Sequence, residues 1–396
     1  MHFSKKDHQD LNDVRRQYKM ELLEIFQRGL VKVDYMEEML NGEFPHITKN
    51  KQWLTNANGH WTGGFWTGLL WMKGLYTEDS DERLNQFNIA NNQAKKLSVR
   101  MSDNKTHDQG FIFGPSCVLG NHIQSDERLV EMAIAGAHNM KDLFEEKTGL
   151  VLAWDEPGYE GVAIVDTIMN APLLIWASKE EKNEELYEIG IKLADSIRKN
   201  HIRDDYSIYH VVRWDPDTYE VVERTTHQGY SPNSCWSRGQ AWALYGFANM
   251  YRYTSKEDYL EVSKNLAQYF WEHLDDNLLL PRWDFIFKNN HEEPLDASAA
   301  SIAASGMLLL SKMLELQKNR VEAEKWKERG KRLIKAIQEH CYYKSLDEYG
   351  LIENVTVDKP RNSGVNESSM YGDYYFMEAV YRYINFDSIE KTNLLY

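Results

Sequence analysis

The chain has 396 residues, of which 42% are hydrophobic and 27% are charged, and its net charge is −15. This surplus of acids argues against a nucleic-acid partner, because binding to a phosphate backbone depends largely on Lys and Arg. The three cysteines, Cys117, Cys235 and Cys341, lack the spacing of a disulfide framework or a zinc site, so we expect neither.

The chain begins with a polar segment that leads into a helical pattern. Residues 1–8 lack the apolar run of a signal peptide, so we expect a cytoplasmic protein without a membrane partner. Residues 10–27 predict an amphipathic helix, since apolar side chains recur on one face. They are Leu11, Val14, Tyr18, Leu22 and Phe26. We predict that this helix covers a larger core.

The rest of the chain alternates between two kinds of segment. Runs of small, apolar and aromatic residues are followed by amphipathic, charged runs. The apolar runs cover 59–71, 106–119, 166–178, 235–253, 297–313 and 367–383, and the amphipathic runs cover 82–101, 126–146, 184–200, 257–274 and 321–340. With the N-terminal helix there are six segments of each kind. We therefore predict an all-α fold, an (α/α)6 barrel with six inner helices ringed by six outer ones.

Short extended runs interrupt this helical pattern. Residues 208–214 and 219–222 flank a turn and predict a β-hairpin, and 280–287 and 351–357 are shorter candidates. These pieces are too few and too scattered to build a domain of their own. We predict that they decorate the rim of the barrel, and that residues 1–396 form a single domain.

Asp166 stands at the head of an almost wholly apolar run, 165–177. A largely buried carboxylate costs solvation energy unless it is paired or used in chemistry. Asp is also a favoured N-cap residue, so a structural role explains the position equally well. A functional role for Asp166 requires that the rest of the chain bring other polar groups to it.

The heads of the inner helices converge at one mouth of such a barrel, and they carry many polar and aromatic residues. The candidates for a pocket there are Trp61, Trp66, His107, Asp108, Trp154, Asp166, His210, His227, Gln228, Trp236, Arg238, Trp242, Asn366, Glu367, Ser368, Asp373 and Tyr374. Carboxylates among histidines and tryptophans are typical of a carbohydrate-processing site. Each residue alone also has a structural interpretation: Asp108 can cap a helix, Arg238 can pair with a structural acid, and the tryptophans can belong to the core.

Four segments in this order resemble the unsaturated glucuronyl hydrolases of glycoside hydrolase family 88. They are THDQGF at 106–111, VDTIMN at 165–170, THQGY at 226–230 with WSRGQAW at 236–242, and YGDYY at 371–375. The likeness extends over residues 53–383. It implies an (α/α)6 barrel and a cytoplasmic enzyme that acts on the unsaturated oligosaccharides left behind by polysaccharide lyases.

The resemblance implies a hydrolase that removes 4,5-unsaturated glucuronic acid from the non-reducing end of chondroitin- or hyaluronan-type disaccharides. Water adds across the C4=C5 bond, with Asp166 as acid toward C4 and base toward the water, while Asp108 binds sugar hydroxyls. The implied partner is a small unsaturated oligosaccharide, and no metal or organic cofactor is implied. Burial, Asp108 and the substrate carboxylate raise the pKa of Asp166, the helix dipole lowers it, and we expect the first group to win.

Matching positions imply further substrate contacts. His210, Gln228 and Arg238 would bond the substrate or the attacking water, Trp61, Trp154, Trp236 and Trp242 would form stacking walls, and His107, His227 and Tyr374 would stand at the pocket edge. Streptococcal-type members of the family, associated with sulfated disaccharides, resemble this chain in length. The loop 359–368, with Ser363 and Ser368, has hydroxyls and basic groups of the kind that bind a sulfate. Val365 and Asn366 stand there where the family pattern has a lysine, which argues against a strong preference for sulfate.

Three alternatives stay open on the sequence alone. An unsaturated rhamnogalacturonyl hydrolase would share the barrel and the acid chemistry and differ in the second sugar. A sugar epimerase or isomerase on the same barrel would depend on histidine bases such as His210 and His227. A non-catalytic sugar-binding barrel would bind the ligand and leave its double bond intact.

Overall fold

Helices make up most of the structure, a computed structural model that describes residues 5–343, 345 and 349–388, with side chains from residue 17 onward. In chain order the helices are α1 (Lys5–Leu40), α2 (Gly63–Tyr76), α3 (Ser80–Lys96), α4 (Gln109–Phe113), α5 (Leu119–Gln124), α6 (Glu127–Asp142), α7 (Thr167–Glu181), α8 (Glu184–His201), α9 (Ser237–Thr254), α10 (Glu257–Glu272), α11 (Ala297–Leu316), α12 (Arg320–His340) and α13 (Met370–Ile384). A π-helical turn, Gly114–Val118, joins α4 to α5 into one inner element.

The inner helices form a closed ring. Helix α2 packs on α4, α4 on α7, α7 on α9, α9 on α11, α11 on α13, and α13 returns to α2. Each inner helix packs mainly on one outer helix: α2 on α3, α4 on α6, α7 on α8, α9 on α10, α11 on α12, and α13 on α1. The predicted (α/α)6 barrel is therefore confirmed, with the N-terminal helix as the outer partner of the last inner one.

Two helices differ in length from the predictions. Helix α1 is longer than 10–27, and Leu22 and Phe26 are fully buried as expected, while the side chains of Leu11 and Val14 lie outside the described residues. The inner element predicted over 106–119 begins at Gln109 and continues to α5. Its π turn contains Pro115, which has no N–H for the helical hydrogen-bond ladder.

Short antiparallel strands decorate the barrel. They are β1 (Phe44–Lys49) with β2 (Gln52–Asn56), β3 (Phe144–Glu145) with β4 (Leu150–Val151), β5 (Val162–Ile164) with β6 (Val211–Trp214) and β7 (Val221–Thr225), and β8 (Val355–Asp358) with β9 (Ser363–Glu367). The predicted hairpin is β6–β7, and β5 extends it to three strands. The segment 280–287, predicted to be extended, makes isolated bridges at Arg282 and Asp284 and ends in a 3-10 turn, Phe285–Phe287. The segment 351–357 pairs as a strand only from Val355.

The inner helices are apolar because protein surrounds them on every side. Among the described residues, α11 alone is long and apolar enough to cross a bilayer, and its whole apolar window is buried inside the fold. A fully apolar helix in that position belongs to the core of the barrel.

Helices α2 and α4 approach each other very closely at Gly64. A Cβ atom added there would lie 2.1 Å from the backbone oxygen of Phe111 and 2.4 Å from that of Ile112. Neither oxygen can move without shifting the first turns of α4, the element that follows Asp108. Gly64 therefore helps to set the position of that helix head.

We predict that Gly64→Ala destabilises the fold by about 1–3 kcal/mol, because the backbone of α4 has to move to admit the methyl group. The free energy of unfolding from urea titration measures the loss. Gly29→Ala on α1 is the matched control, since the close contacts of its added Cβ are with the flexible end of Met377. An equal loss in both variants would contradict the backbone argument.

Candidate active site

Asp108, Asp166 and Asp296 each directly precede an inner helix, and they differ in how their side chains are used. Asp296 caps α11 by accepting the N–H groups of Ser298 and Ala299. Asp166 precedes α7 and Asp108 precedes α4, but neither side chain makes a capping hydrogen bond. The structural interpretation as a helix cap therefore applies to Asp296, and it does not account for Asp166 or Asp108.

Asn170 holds the heads of α4 and α7 together. Its Oδ1 accepts the backbone N–H of Phe111 at 2.8 Å, and its Nδ2 donates to the backbone oxygen of Asp166 at 3.3 Å. Gly110 permits this approach, since a Cβ there would lie 2.5 Å from the Cα of Asn170. The ring of inner helices places Asp108 and Asp166, which are far apart in sequence, at one end of the barrel, and these contacts fix the two helix heads against each other.

His107 links Asp108 to Thr167, the residue that follows Asp166. Its Nδ1 lies 2.9 Å from the hydroxyl of Thr167, and its Nε2 lies 3.3 Å from Oδ1 of Asp108. The hydroxyl of Thr106 donates to Oδ2 of Asp108 at 2.6 Å. Both carboxylate oxygens of Asp108 are thus held in place, and burial keeps the pKa of His107 below its usual value.

The surroundings of Asp166 favour its protonated form. Burial, with a smaller contribution from the Asp108 carboxylate, raises the pKa of Asp166 to about 7, against the lowering effect of the Arg238 charge. A hydrogen bond from the Trp242 side chain also lowers the pKa. Burial and Asp108 together outweigh these lowering effects, so Asp166 can change its protonation state near neutral pH.

The two aspartates open onto the barrel mouth, whereas the histidines behind them are sealed. The side chains of Asp108 and Asp166 keep 12% and 13% of their surface exposed, while those of His107 and His210 keep 1%. Half-buried Trp154 flanks the opening, with its ring centroid 6.2 Å from that of His107.

A second aromatic group lies on the same side of the barrel. Half-buried Trp61 stacks on Tyr371 at 5.1 Å and also contacts Phe111, which follows Asp108 on α4. Trp236 and Trp242 are buried, so they do not present exposed stacking faces. His227 is half-buried at the edge, 5.9 Å from Trp154 between ring centroids.

The outer wall of the barrel also carries grooves. One of about 420 Å³ lies between α1 and α12 and is lined in part by Tyr18, Leu279 and Lys331. It contains none of the predicted site residues. The candidate site is therefore defined by the convergence of the helix heads and not by cavity size.

Two side chains that were predicted to contact the substrate bond to other parts of the protein instead. Arg238 donates from Nη1 to Asp296 and to the backbone oxygen of Thr356, and from Nη2 to the backbone oxygen of Val357, each at 2.6 Å. Gln228 donates to the same Val357 oxygen at 2.8 Å. These donors hold β8 against the barrel mouth, which agrees with the structural interpretation of Arg238 and leaves its charge to act on Asp166.

Three other predicted contacts lie away from the two aspartates. Ser368 is buried and donates its hydroxyl to the backbone oxygen of Ile352 at 2.7 Å. Tyr374 is buried in the core, with its hydroxyl 3.4 Å from Glu378, rather than at the pocket edge. Ser363 is exposed on β9. The structure does not bring Ser368 and Tyr374 into the opening, because hydrogen bonds and packing inside the fold use both side chains.

Arg361 is a residue of the site that sequence reasoning missed. It lies in the loop between β8 and β9, where Nη2 is 3.0 Å from Nδ1 of His227 and Nη1 bonds the carboxylate of Asp358 at 2.6 Å. The basic composition of that loop was the one available signal. Its contact with His227 spans 134 residues, and no local pattern predicts such a pairing.

Buried carboxyl groups at the open end of a helical barrel, set among aromatic side chains, define the class of barrel enzymes that act on carbohydrates. The chain belongs to glycoside hydrolase family 88, whose profile matches residues 34–387. It is 30% identical to the unsaturated chondroitin disaccharide hydrolase of Streptococcus agalactiae over 92% of each chain. It is 29% identical to the unsaturated glucuronyl hydrolase of a Bacillus species, over 86% of this chain and 90% of that one.

Solved structures agree with this assignment. An unsaturated glucuronyl hydrolase specific for heparin matches with a TM-score of 0.86 and 27% identity, covering 93% of this chain and 98% of that one. An aspartate-to-asparagine mutant of the Streptococcus agalactiae enzyme, complexed with dGlcA-GalNAc6S, matches with a TM-score of 0.77 and 27% identity, covering 93% and 92%. The resemblance seen in the sequence is confirmed, and this chain is a glycoside hydrolase.

We predict that Asn170→Ala costs about 1–3 kcal/mol of stability, because the buried N–H of Phe111 loses its acceptor, and that it lowers the turnover rate by displacing the two helix heads. Urea unfolding and initial rates measure the two effects. Asn249→Ala is the control, since Asn249 is buried on α9 and its amide has no hydrogen-bond partner among the described residues. A similar loss of activity in both variants would reject the role of Asn170.

Proposed function

We propose that this enzyme removes 4,5-unsaturated glucuronic acid from the non-reducing end of chondroitin- or hyaluronan-type disaccharides by hydrating the C4=C5 bond. The observation that carries the proposal is the Asp166 carboxyl at the barrel mouth, which makes no capping hydrogen bond and whose pKa is raised to about 7. Such a group can give a proton and take one back near neutral pH. The names of the relatives, which refer to unsaturated chondroitin disaccharides and glucuronyl groups, support the substrate class.

In the proposed reaction Asp166 transfers its proton to C4 of the unsaturated sugar, and the ring oxygen stabilises the positive charge that develops at C5. Water then forms a bond to C5 and gives its proton to the Asp166 carboxylate. The product is a hemiketal, which opens and expels the second sugar. The proton lost in the first step returns in the second, so Asp166 ends each turnover in the state in which it began.

Asp108 has two roles in the proposal. Thr106 and His107 hold its carboxylate in a fixed orientation, from which its exposed part can accept hydrogen bonds from sugar hydroxyls. Its negative charge also raises the pKa of Asp166. Trp61 and Trp154 are the half-buried rings that we propose as stacking faces for the sugar.

The alternatives left open by the sequence receive less support. The named relatives act on glucuronyl or chondroitin substrates, which disfavours a rhamnogalacturonyl preference. An epimerase would need a histidine base, but Nδ1 of His210 already accepts two backbone N–H groups. The cytoplasmic location and the single domain remain predictions.

We predict that the wild-type enzyme abolishes the ultraviolet absorbance of unsaturated chondroitin and hyaluronan disaccharides, whose C4=C5 bond it saturates. Asp166→Asn should lower the rate by about 1,000-fold or more, because an amide neither donates a proton to carbon nor accepts one from water. Absorbance followed over time measures both results.

Asp79→Asn is the control for this experiment. Asp79 caps α3 by accepting two backbone N–H groups, and Asn caps a helix equally well, so full activity is expected. Faster turnover of a pectin-derived unsaturated disaccharide would favour the rhamnogalacturonyl alternative. A steady absorbance with every unsaturated disaccharide would reject the proposal.

We predict that kcat falls as the pH rises through about 7, because only protonated Asp166 can supply the proton to C4. Asp108→Asn removes a negative charge that raises the pKa of Asp166, so the fall should move to lower pH in that variant. Measuring kcat at saturating substrate between pH 5 and 9 tests both expectations. An unchanged midpoint in Asp108→Asn would exclude electrostatic coupling between the two aspartates.

A further inference from the structure

Two polar atoms behind the candidate site face each other without a hydrogen-bond partner among the described residues. They are Oδ2 of Asp166 and Nε2 of His210, which lie 3.6 Å apart. Both atoms are closed off from solvent. The exposed surface of the Asp166 side chain therefore does not include Oδ2. Orphaned polar groups in a buried site cost free energy, and their retention indicates a use.

The other ring nitrogen of His210 fixes the position of the imidazole proton. Nδ1 accepts the backbone N–H groups of His227 and Gln228, both at 3.3 Å. A nitrogen that accepts must present its lone pair, so in the neutral ring the proton resides on Nε2. The N–H that results points at Asp166.

The surroundings of His210 also keep the ring neutral. It is fully buried and stacks on Trp236 at 4.2 Å between ring centroids. Burial lowers the pKa of His210 well below its usual value, and His227, Arg238, His201 and His107 lower it further. His210 is therefore poorly suited to carry a proton during the reaction.

We propose that His210 is a positioning residue whose fixed Nε2–H faces Oδ2 of Asp166 and thereby confines the reacting proton to Oδ1. This inference rests on the proposed function of Asp166. A proton on Oδ2 would point at the hydrogen on Nε2, so the acidic hydrogen occupies the other oxygen. When that proton passes to C4, the N–H stabilises the new carboxylate.

The distance between Nε2 of His210 and Oδ2 of Asp166 bears on the different roles of the two carboxyl oxygens. A separation of 3.6 Å exceeds the usual 2.7–3.2 Å range of N–H···O hydrogen bonds, so Nε2–H faces Oδ2 without bonding it in this structure. Bonds to an ionised acceptor are shorter and stronger. The other groups that act on Asp166 are Arg238, Asp108 and the Trp242 side chain. Arg238 is itself bound to Asp296, which leaves His210 as the neutral donor aimed at Oδ2.

The tautomer can be tested without turnover. In the full-length enzyme labelled with ring-15N histidine, we expect His210 to show a neutral ring protonated at Nε2 from pH 5 to pH 8. The resonance is assigned by its loss in His210→Gln. A ring protonated at Nδ1, or at both nitrogens within that range, would overturn the inference even if the enzyme is active on every disaccharide.

Two variants separate the donor from the acceptor function of His210. In His210→Asn the side-chain oxygen can replace Nδ1 as acceptor for the backbone, but nothing replaces Nε2–H. In His210→Gln the amide nitrogen can replace Nε2–H. We expect kcat to fall on the order of 100-fold in His210→Asn, as for other lost preorganised donors, and to be largely restored in His210→Gln.

The pH profile distinguishes this role from a purely structural one. Without the N–H the Asp166 carboxylate is less stable, so the basic limb of kcat should move to higher pH in His210→Asn and stay near the wild-type position in His210→Gln. A lower melting temperature with an unmoved limb would overturn the inference. If the wild type turns over no unsaturated disaccharide, the proposed function fails, and the NMR result still decides whether His210 carries its proton on Nε2.

Discussion

The hydrogen bonds of Asn170 are the constraint on which the candidate site depends. One amide side chain satisfies the N–H of Phe111 and the backbone oxygen of Asp166, so two helix heads are fixed side by side. The two aspartates would otherwise sit at separate helix starts, each able to serve as an ordinary cap. Since the contact is between main chain and a buried amide, the geometry is set before any sugar arrives. The barrel thus supplies a preorganised pair of carboxyl groups.

The charge balance around Asp166 follows from the same packing. Arg238 would favour an ionised Asp166, but its guanidinium is committed to Asp296 and to two backbone oxygens of β8. Its charge still lowers the pKa of Asp166, and burial, with a smaller contribution from Asp108, outweighs it, so the acid keeps its proton near neutral pH. The proposed protonation of C4 needs an acid of this kind. Arg238 thus influences the pKa of Asp166, although its own hydrogen bonds are to Asp296 and β8.

The sequence predicted the architecture because each inner helix is apolar all round and each outer helix is amphipathic, which is a local pattern. It also predicted Asp108 and Asp166, whose positions at helix heads bring them to one mouth in any closed ring. The backbone partners of Arg238 and Gln228 could not be predicted, because these acceptors are oxygens of β8, over 100 residues away. Tyr374 and Ser368 were misplaced for a related reason: position near a helix head does not reveal which way a side chain turns.

The way in which β8 is fastened affects how the enzyme can change. Arg238 and Gln228 grip main-chain oxygens of Thr356 and Val357, and every amino acid provides such an oxygen. Substitutions along the β8–β9 segment can therefore alter the outer rim of the mouth without loosening its attachment to the barrel. Ligand preference can therefore change through the β8–β9 segment while the two aspartates keep their positions. Related proteins can in this way diverge in the carbohydrates that they bind.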